Sequence, residues 1–139
     1  MALKSPEEYE ESLRKMKFKV YLMGELVENP VDHPMIRPSM NSVKATYAVT
    51  GDPESEELLT ATSHLSGERI NRFTHLHQST EDLVKKVKMQ RLLGQRTGSC
   101  FQRCVGMDAM NAVDSVTFEM DTKLGTKYHE RFTTFLRMV

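Results

Sequence analysis

These 139 residues contain no tryptophan, only two cysteines, no apolar run of membrane-spanning length and no formal net charge. Each absence narrows the function. Two cysteines cannot staple a small secreted scaffold, and they suit a reducing compartment. A transmembrane helix needs about 20 consecutive apolar residues, and nothing here approaches that length. Nineteen basic residues balance nineteen acidic ones, so no charge surplus points to nucleic acid or to an anionic membrane as partner. Glu7, Glu8, Glu10 and Glu11 stand where a signal peptide would be apolar, so the chain reads as untargeted and cytoplasmic. Internal repeats and low-complexity tracts are missing too.

What remains is the composition of a soluble globular domain, 39% apolar and 27% charged, long enough for one core and too short for two. Ten methionines are its oddity. Methionine fills irregular gaps, so this many either completes an ordinary core or meets another surface.

Ser5-Pro6-Glu7-Glu8 opens a helix: Ser5 caps, Pro6 suits the first turn, and Glu8 completes a capping box. Tyr9, Leu13 and Met16 share one face, which predicts helix to about Lys17. The β-prone residues 19–23, a turn at Gly24-Glu25 and a return at Leu26-Val27 predict a short hairpin. Asn29-Pro30 and His33-Pro34 break regular structure. Pro38 begins a second helix, with Met40, Val43 and Tyr47 on one face and a stop at Gly51. Asp52-Pro53 restarts a short helix through Leu59, and residues 60–78 read as extended or hairpin-like. Ser79-Thr80-Glu81-Asp82 is a strong helix start, carried by Leu83, Val87 and residues 89–93 toward Gly94-Gln95-Arg96. A further helix is predicted from about Ser99 to Lys123, stopped by Gly125. A last one begins near Thr126 and is still running at Val139. With no C-cap, closing glycine or polar tail, the chain is expected to be cut rather than finished. The fold class is mainly α with a small β-hairpin, one domain over residues 1–139.

The one site-like feature is Cys100-Phe101-Gln102-Arg103-Cys104. Four residues apart on a helix, the two thiols share a face with Cβ atoms about 5–6 Å apart, too far for an undistorted disulfide. Two thiolates so placed could grip two irons of one cluster, or one zinc, but either metal wants about four ligands. His64, His75 and His77 lack metal-ligand spacing to the pair, so on spacing alone two buried structural thiols are the better reading. Elsewhere the bland readings also lead. His33 is a loop histidine satisfied by backbone, and Arg37 is a surface charge before it is a phosphate ligand. Lys85, Lys86, Lys88 and Arg91 form a solvated helix face, and residues 94–98 lack a phosphate-loop pattern. No Ser/His/Asp or paired-carboxylate arrangement has a defensible spacing.

Longer strings carry more. Residues 31–39 (VDHPMIRPS), 70–73 (INRF), 76–80 (LHQST), 86–95 (KVKMQRLLGQ) and 99–109 (SCFQRCVGMDA) together resemble the 4-hydroxybutyryl-CoA dehydratase/vinylacetyl-CoA Δ-isomerase family. That family lies among the 4-hydroxyphenylacetate 3-hydroxylase-like flavoproteins, and the resemblance runs from Tyr9 to Phe135. The cysteine segment is its most specific part, because the related phenol hydroxylases lack the pair.

The resemblance implies the N-terminal helical domain of an acyl-CoA dehydrogenase-like fold, cut before the central β, flavin-binding domain, in an enzyme that assembles as a homotetramer. It implies FAD and a [4Fe–4S] cluster, with Cys100 and Cys104 as two of the cluster's three cysteine ligands; the third cysteine and a histidine lie downstream. The implied reaction removes water from 4-hydroxybutyryl-CoA to give crotonyl-CoA, and the same site isomerises vinylacetyl-CoA. The β hydrogen lost is not acidic, since no carbonyl adjoins its carbon. One-electron oxidation by the flavin makes it removable by a base, and a cluster iron accepts the hydroxide. Gln102 is the one catalytic candidate in this chain, weighed evenly against a helix-surface amide. The remaining domains or a complementing chain, and an acyl-CoA, are the implied partners.

Two other readings share these residues: the N-terminal domain of a flavin-dependent 4-hydroxyphenylacetate 3-monooxygenase, and a non-enzymatic helical module that binds metal or packs on a partner. An excised domain should expose apolar side chains, with Phe132, Phe135 and Leu136 on the last helix and Phe101 and Val105 on the cysteine helix expected among them.

Overall fold

The computed structural model describes residues 3–99 and 103–138. Helix α1 (Pro6–Lys15) begins with the expected capping box: Ser5 Oγ accepts the Glu8 N–H at 3.1 Å, and the Glu8 carboxylate accepts the Ser5 N–H at 2.7 Å. Strands β1 (Val20–Leu22) and β2 (Glu25–Val27) form the first hairpin, with Val20 opposite Val27. Its turn lies one residue earlier than expected, at Met23 (φ 52°) and Gly24 (φ 89°). Two successive left-handed residues give the turn whose twist matches the strands, which leaves Glu25 in β2 opposite Leu22.

Helix α2 (Arg37–Thr50) ends at Gly51 as expected. An ion cluster binds α1 to it. The Glu10 carboxylate accepts from Arg37 and Lys44 of α2 and from Arg14 of α1, while Arg14 reaches on to Asp32. The Arg37, Lys44 and Arg14 hydrogen bonds, in that order, hold the Glu10 carboxyl down at about 2. Beside the cluster, the Tyr9 and Tyr47 rings stack at 4.7 Å.

Helix α3 (Glu56–Leu59) leads into a second hairpin, β3 (Thr60–Thr62) and β4 (Arg69–Asn71), so the extended reading of this stretch holds. The 3-10 turn that follows at Arg72–Thr74 was not among the elements expected. Asn71 creates it by capping: its side-chain oxygen accepts the Phe73 N–H at 3.0 Å.

Helix α4 (Thr80–Thr97) starts on Ser79 and runs one residue past the expected Gly94-Gln95-Arg96 close, to a left-handed Gly98 cap. Helix α5 (Arg103–Leu124) closes at Gly125 (φ 65°), as expected. Helix α6 (Tyr128–Leu136) is capped from a distance: Asp121 of α5 accepts the Tyr128 and His129 N–H groups, each at 2.9 Å. It does not run on to the chain end as expected. The Met138 N–H turns back to the Phe135 carbonyl at 2.9 Å, tightening the last turn; Val139 lies outside the described residues.

The core gathers Val49, Leu59, Phe73, Met89, Leu93 and Met107, one or two from each of α2, α3, the 3-10 turn, α4 and α5. The ordinary core reading of the methionines holds for two of them. Met89 and Met107 are fully enclosed, while Met23 at the first hairpin's tip is 86% exposed. The expected apolar exposure is found at Val105 (62%) and Phe135 (47%). Phe132 and Leu136 are half-buried instead, and Phe101 lies outside the described residues. Among the described residues no helix is long and apolar enough to cross a membrane.

Arg72 is the most heavily bonded side chain in this interior, 3% exposed. Its guanidinium donates to the carbonyls of Leu58 (2.8 Å), Thr60 (2.6 Å) and Glu57 (3.3 Å), and to the Asp82 carboxylate (3.2 Å). Asp82→Ala should therefore leave a buried cation without its counter-charge. We expect a loss of about 3 kcal/mol in urea unfolding, against less than about 1 kcal/mol for Glu81→Ala on the same turn. Equal losses in the two variants would show that the Arg72–Asp82 pair is not what holds this junction.

Candidate functional site

Cys100 and Gln102 lie outside the described residues, so the geometry of the cysteine segment is that of Arg103 and Cys104. Cys104 sits in the first turn of α5, half-buried, with its thiol free. It is not a member of the core, which α5 joins through Met107 one turn later. Among the described residues no three His, Cys, Asp or Glu side chains come together as a metal site. The described residues therefore fit a cluster only in part, through the Cys104 thiol, and further ligands would have to come from elsewhere.

Arg103 packs inward. Its guanidinium lies 4.0 Å above the Phe73 ring and 5.6 Å from the Tyr47 ring, and it donates to Thr46 Oγ1 at 2.8 Å. Burial lowers its pKa, with Tyr47 opposing. Its role was missed in the sequence, although a signal was there. The positions one turn either side of it (Ser99, Cys100, Gly106, Met107) hold no acid, so it could not be paired along its own helix.

The histidines do not assemble around Cys104. His75 is buried, with Nε2 3.2 Å from Asp82, and its Nδ1 has no partner. His77 is anchored through its backbone N–H to Asn111 Oδ1 at 2.8 Å, and its own Nε2 is buried and unpartnered. Burial lowers the pKa of both; Asp82 pulls His75 back up, and Lys86 pushes His77 further down. Asp82 is raised by burial, but the Gln78 N–H, His75 and Ser79 outweigh that and bring it to about 2. His64 lies apart on the exposed loop of the second hairpin.

The weaker candidates resolve as ordinary structure. His33 Nδ1 accepts the Met35 N–H at 3.3 Å, the backbone-satisfied histidine expected. Arg37 is neither a free surface charge nor a phosphate ligand, because Glu10 and Asp32 occupy it. The basic run on α4 is only partly a solvated face: Lys85 pairs with Glu57 and Glu81, Lys86 with Asp108, and Lys88 and Arg91 remain exposed. Residues 94–97 finish α4 as helix, so no phosphate loop exists there.

Compared with known families, residues 5–139 match the profile described as 4-hydroxyphenylacetate 3-hydroxylase N terminal. The chain belongs to that family. Within it, the chain is 61% identical over 137 residues to the 4-hydroxybutyryl-CoA dehydratase/vinylacetyl-CoA-Delta-isomerase of Clostridium aminobutyricum, covering 99% of this chain and 28% of that protein. A solved oxygen-tolerant archaeal 4-hydroxybutyryl-CoA dehydratase from N. maritimus superposes with a TM-score of 0.92 at 56% identity, covering 99% of this chain and 27% of the archaeal one. The resemblance read from the residues is thereby borne out, as is the mainly α fold. The family domain described here spans little more than a quarter of the length of these relatives.

Buried His75 and half-buried His77 give the domain a defined acid sensitivity. In the unfolded chain each takes a proton near pH 6.5, and in the folded chain only at lower pH. Their effect is nil well above 6.5, and stability falls as pH drops below it. The low pKa of Asp82 matters only below about pH 4, outside that window. Between pH 7.5 and 5.5 the urea midpoint of the protein should fall, and that of a His75→Gln/His77→Gln variant should fall by less than half as much. An equal fall in both would remove the histidines from the account.

Proposed function

We propose that this chain is the N-terminal domain of a cytoplasmic, FAD- and [4Fe–4S]-dependent dehydratase that converts 4-hydroxybutyryl-CoA to crotonyl-CoA and isomerises vinylacetyl-CoA. The observation that carries this reading is 61% identity, held across 99% of the chain, to a protein of that name. In this reading residues 1–139 precede a central flavin-binding domain and supply two cluster ligands, Cys100 and Cys104. The completed enzyme is a homotetramer. The flavin and the cluster, when bound, supply the one-electron oxidation and the Lewis acid that removal of an unactivated hydrogen requires.

This chain's own contribution is to hold the thiols in place. A free, half-buried Cys104 outside the core suits a ligand that faces a neighbouring domain better than it suits a packed structural thiol. Met107 and Arg103 fix the rotation of α5 about its axis from the inner side, which leaves Val105 and its neighbours outward. Gln102, between the ligands in sequence, would sit near the substrate or the cluster. Alone, the domain offers two thiols where a cluster needs about four ligands, so it holds no stable cluster and has no dehydratase activity.

The family profile's own description favours a second reading, a flavin-dependent phenol hydroxylase, for which the cysteine pair has no use. A chimera joining residues 1–139 to the remaining length of the Clostridium relative tests both. We expect it to contain iron and acid-labile sulfide and to dehydrate 4-hydroxybutyryl-CoA. Cys104→Ser in that chimera should lose the cluster and reduce turnover more than about 100-fold, with helicity unchanged by circular dichroism. Full activity and iron content in Cys104→Ser would reject the ligand assignment. An iron-free chimera that hydroxylates 4-hydroxyphenylacetate would favour the second reading.

A further inference from the structure

A cavity of about 170 Å³ opens between α2, the β3–β4 hairpin, the start of α5 and the end of α6. Arg103 lies on its wall, with Lys4, His64 and Arg137 around it. These are three fixed cations and one titratable ring. Glu68, the carboxylate among the described lining residues, is itself engaged. Arg103 forms no ion pair with any described residue, and its neighbours are the Phe73 and Tyr47 rings and the Thr46 hydroxyl. A guanidinium carries five N–H donors. With one donor engaged by Thr46 Oγ1 and Arg103 on the cavity lining, the guanidinium has donors to offer a ligand there.

Elsewhere in this domain buried and half-buried cations are neutralised. Arg72 has Asp82, and Lys44 has Glu10. Arg103 is desolvated without a counter-charge, which is costly unless an anion completes it. We propose that this cavity is a binding site for a phosphate-type dianion, held by Arg103 from the wall and by Lys4 and Arg137 from the rim. A planar guanidinium presents paired donors suited to two phosphate oxygens. The surplus of fixed positive charge favours a dianion over a monocarboxylate. Hydroxyls of Ser63 and Ser66, also on the lining, supply neutral donors for the remaining oxygens. The site is distinct from the thiol of Cys104, and the proposal does not depend on the dehydratase reading.

The group could arrive as free inorganic phosphate or as the phosphate of an ester. The test titrates the 139-residue chain by calorimetry with inorganic phosphate, with adenosine 3′,5′-bisphosphate and with butyrate, at matched ionic strength. Saturable one-to-one binding of phosphate or the bisphosphate is expected. Equal affinity for the two would identify the free ion, and at least about tenfold tighter binding of the bisphosphate would identify an ester. Arg103→Lys, which keeps the charge and loses the fork, should weaken binding about tenfold. Because Arg103 also packs the interior, Lys4→Gln and Arg137→Gln serve as rim variants that leave the core untouched, each expected to weaken binding about threefold. The proposal is overturned if neither phosphate compound binds saturably, if butyrate binds as tightly as phosphate, or if binding is unchanged in the Lys4→Gln/Arg137→Gln pair.

Discussion

Everything in the interior of this domain is arranged around a buried guanidinium. Arg72 takes the last carbonyls of α3, where the helix presents its negative end. It takes the Thr60 carbonyl at the start of β3, and it meets Asp82 in the first turn of α4. Three elements, α3, β3 and α4, are thus pinned through one side chain. The alternative, an unpaired charge in a low-dielectric interior, is costly. Asp82 does double duty. It also accepts the Gln78 N–H and the Ser79 hydroxyl, so the charge that neutralises Arg72 also helps start α4.

The 3-10 turn follows from the same constraint. To bury Arg72, the chain must turn inward directly after β4, and Asn71 caps that turn. Phe73 then enters the core beside Leu59, Met89 and Met107, and its ring becomes the platform for Arg103. A contact 57 residues apart in sequence, Arg103 to Thr46, closes the arrangement onto α2. The placement of the cysteine helix is therefore set by aromatic and guanidinium packing on its inner side, and not by the cysteines.

Most of the fold was legible in the sequence because its signals are local. The capping box at Ser5, the stop at Gly51, the start at Ser79 and the stop at Gly125 each act within one turn of the residue that carries them, and each was found. What escaped depends on distance. The α6 cap is Asp121, on the far side of the Gly125 turn. The 3-10 turn at Arg72 is demanded by an acid ten positions later, and Arg37 looked unpartnered because Glu10 lies 27 positions earlier. The first hairpin was found but shifted by one, since a turn at Met23-Gly24 puts a methionine at positive φ, which L side chains seldom adopt. At the candidate site, the cysteines were legible as a spacing, and the ligand role proposed for them rests only on the family resemblance. The unpaired Arg103 was legible only as an absence of acids.

The distribution of exposed apolar surface follows from where the core ends. Residues of α2, α3, α4 and the 3-10 turn close around Met107, but the C-terminal two-thirds of α5 has α6 as its main cover. That helical hairpin is held by polar devices rather than by a core. Asp121 caps α6, Thr117 approaches His129 Nδ1 at 3.3 Å, and the Phe118 edge meets the His129 ring at 5.4 Å. Val113, Val116, Phe118 and Leu124 stay exposed along it. A hairpin fixed by caps needs no partner to keep its shape, yet its apolar face gains by burial against one. In the dehydratase reading that face and the Cys104 thiol belong to the same helix. Inner packing through Met107 and Arg103 then holds the start of α5, and with it Cys104, in place, while the outer face remains free for a partner surface.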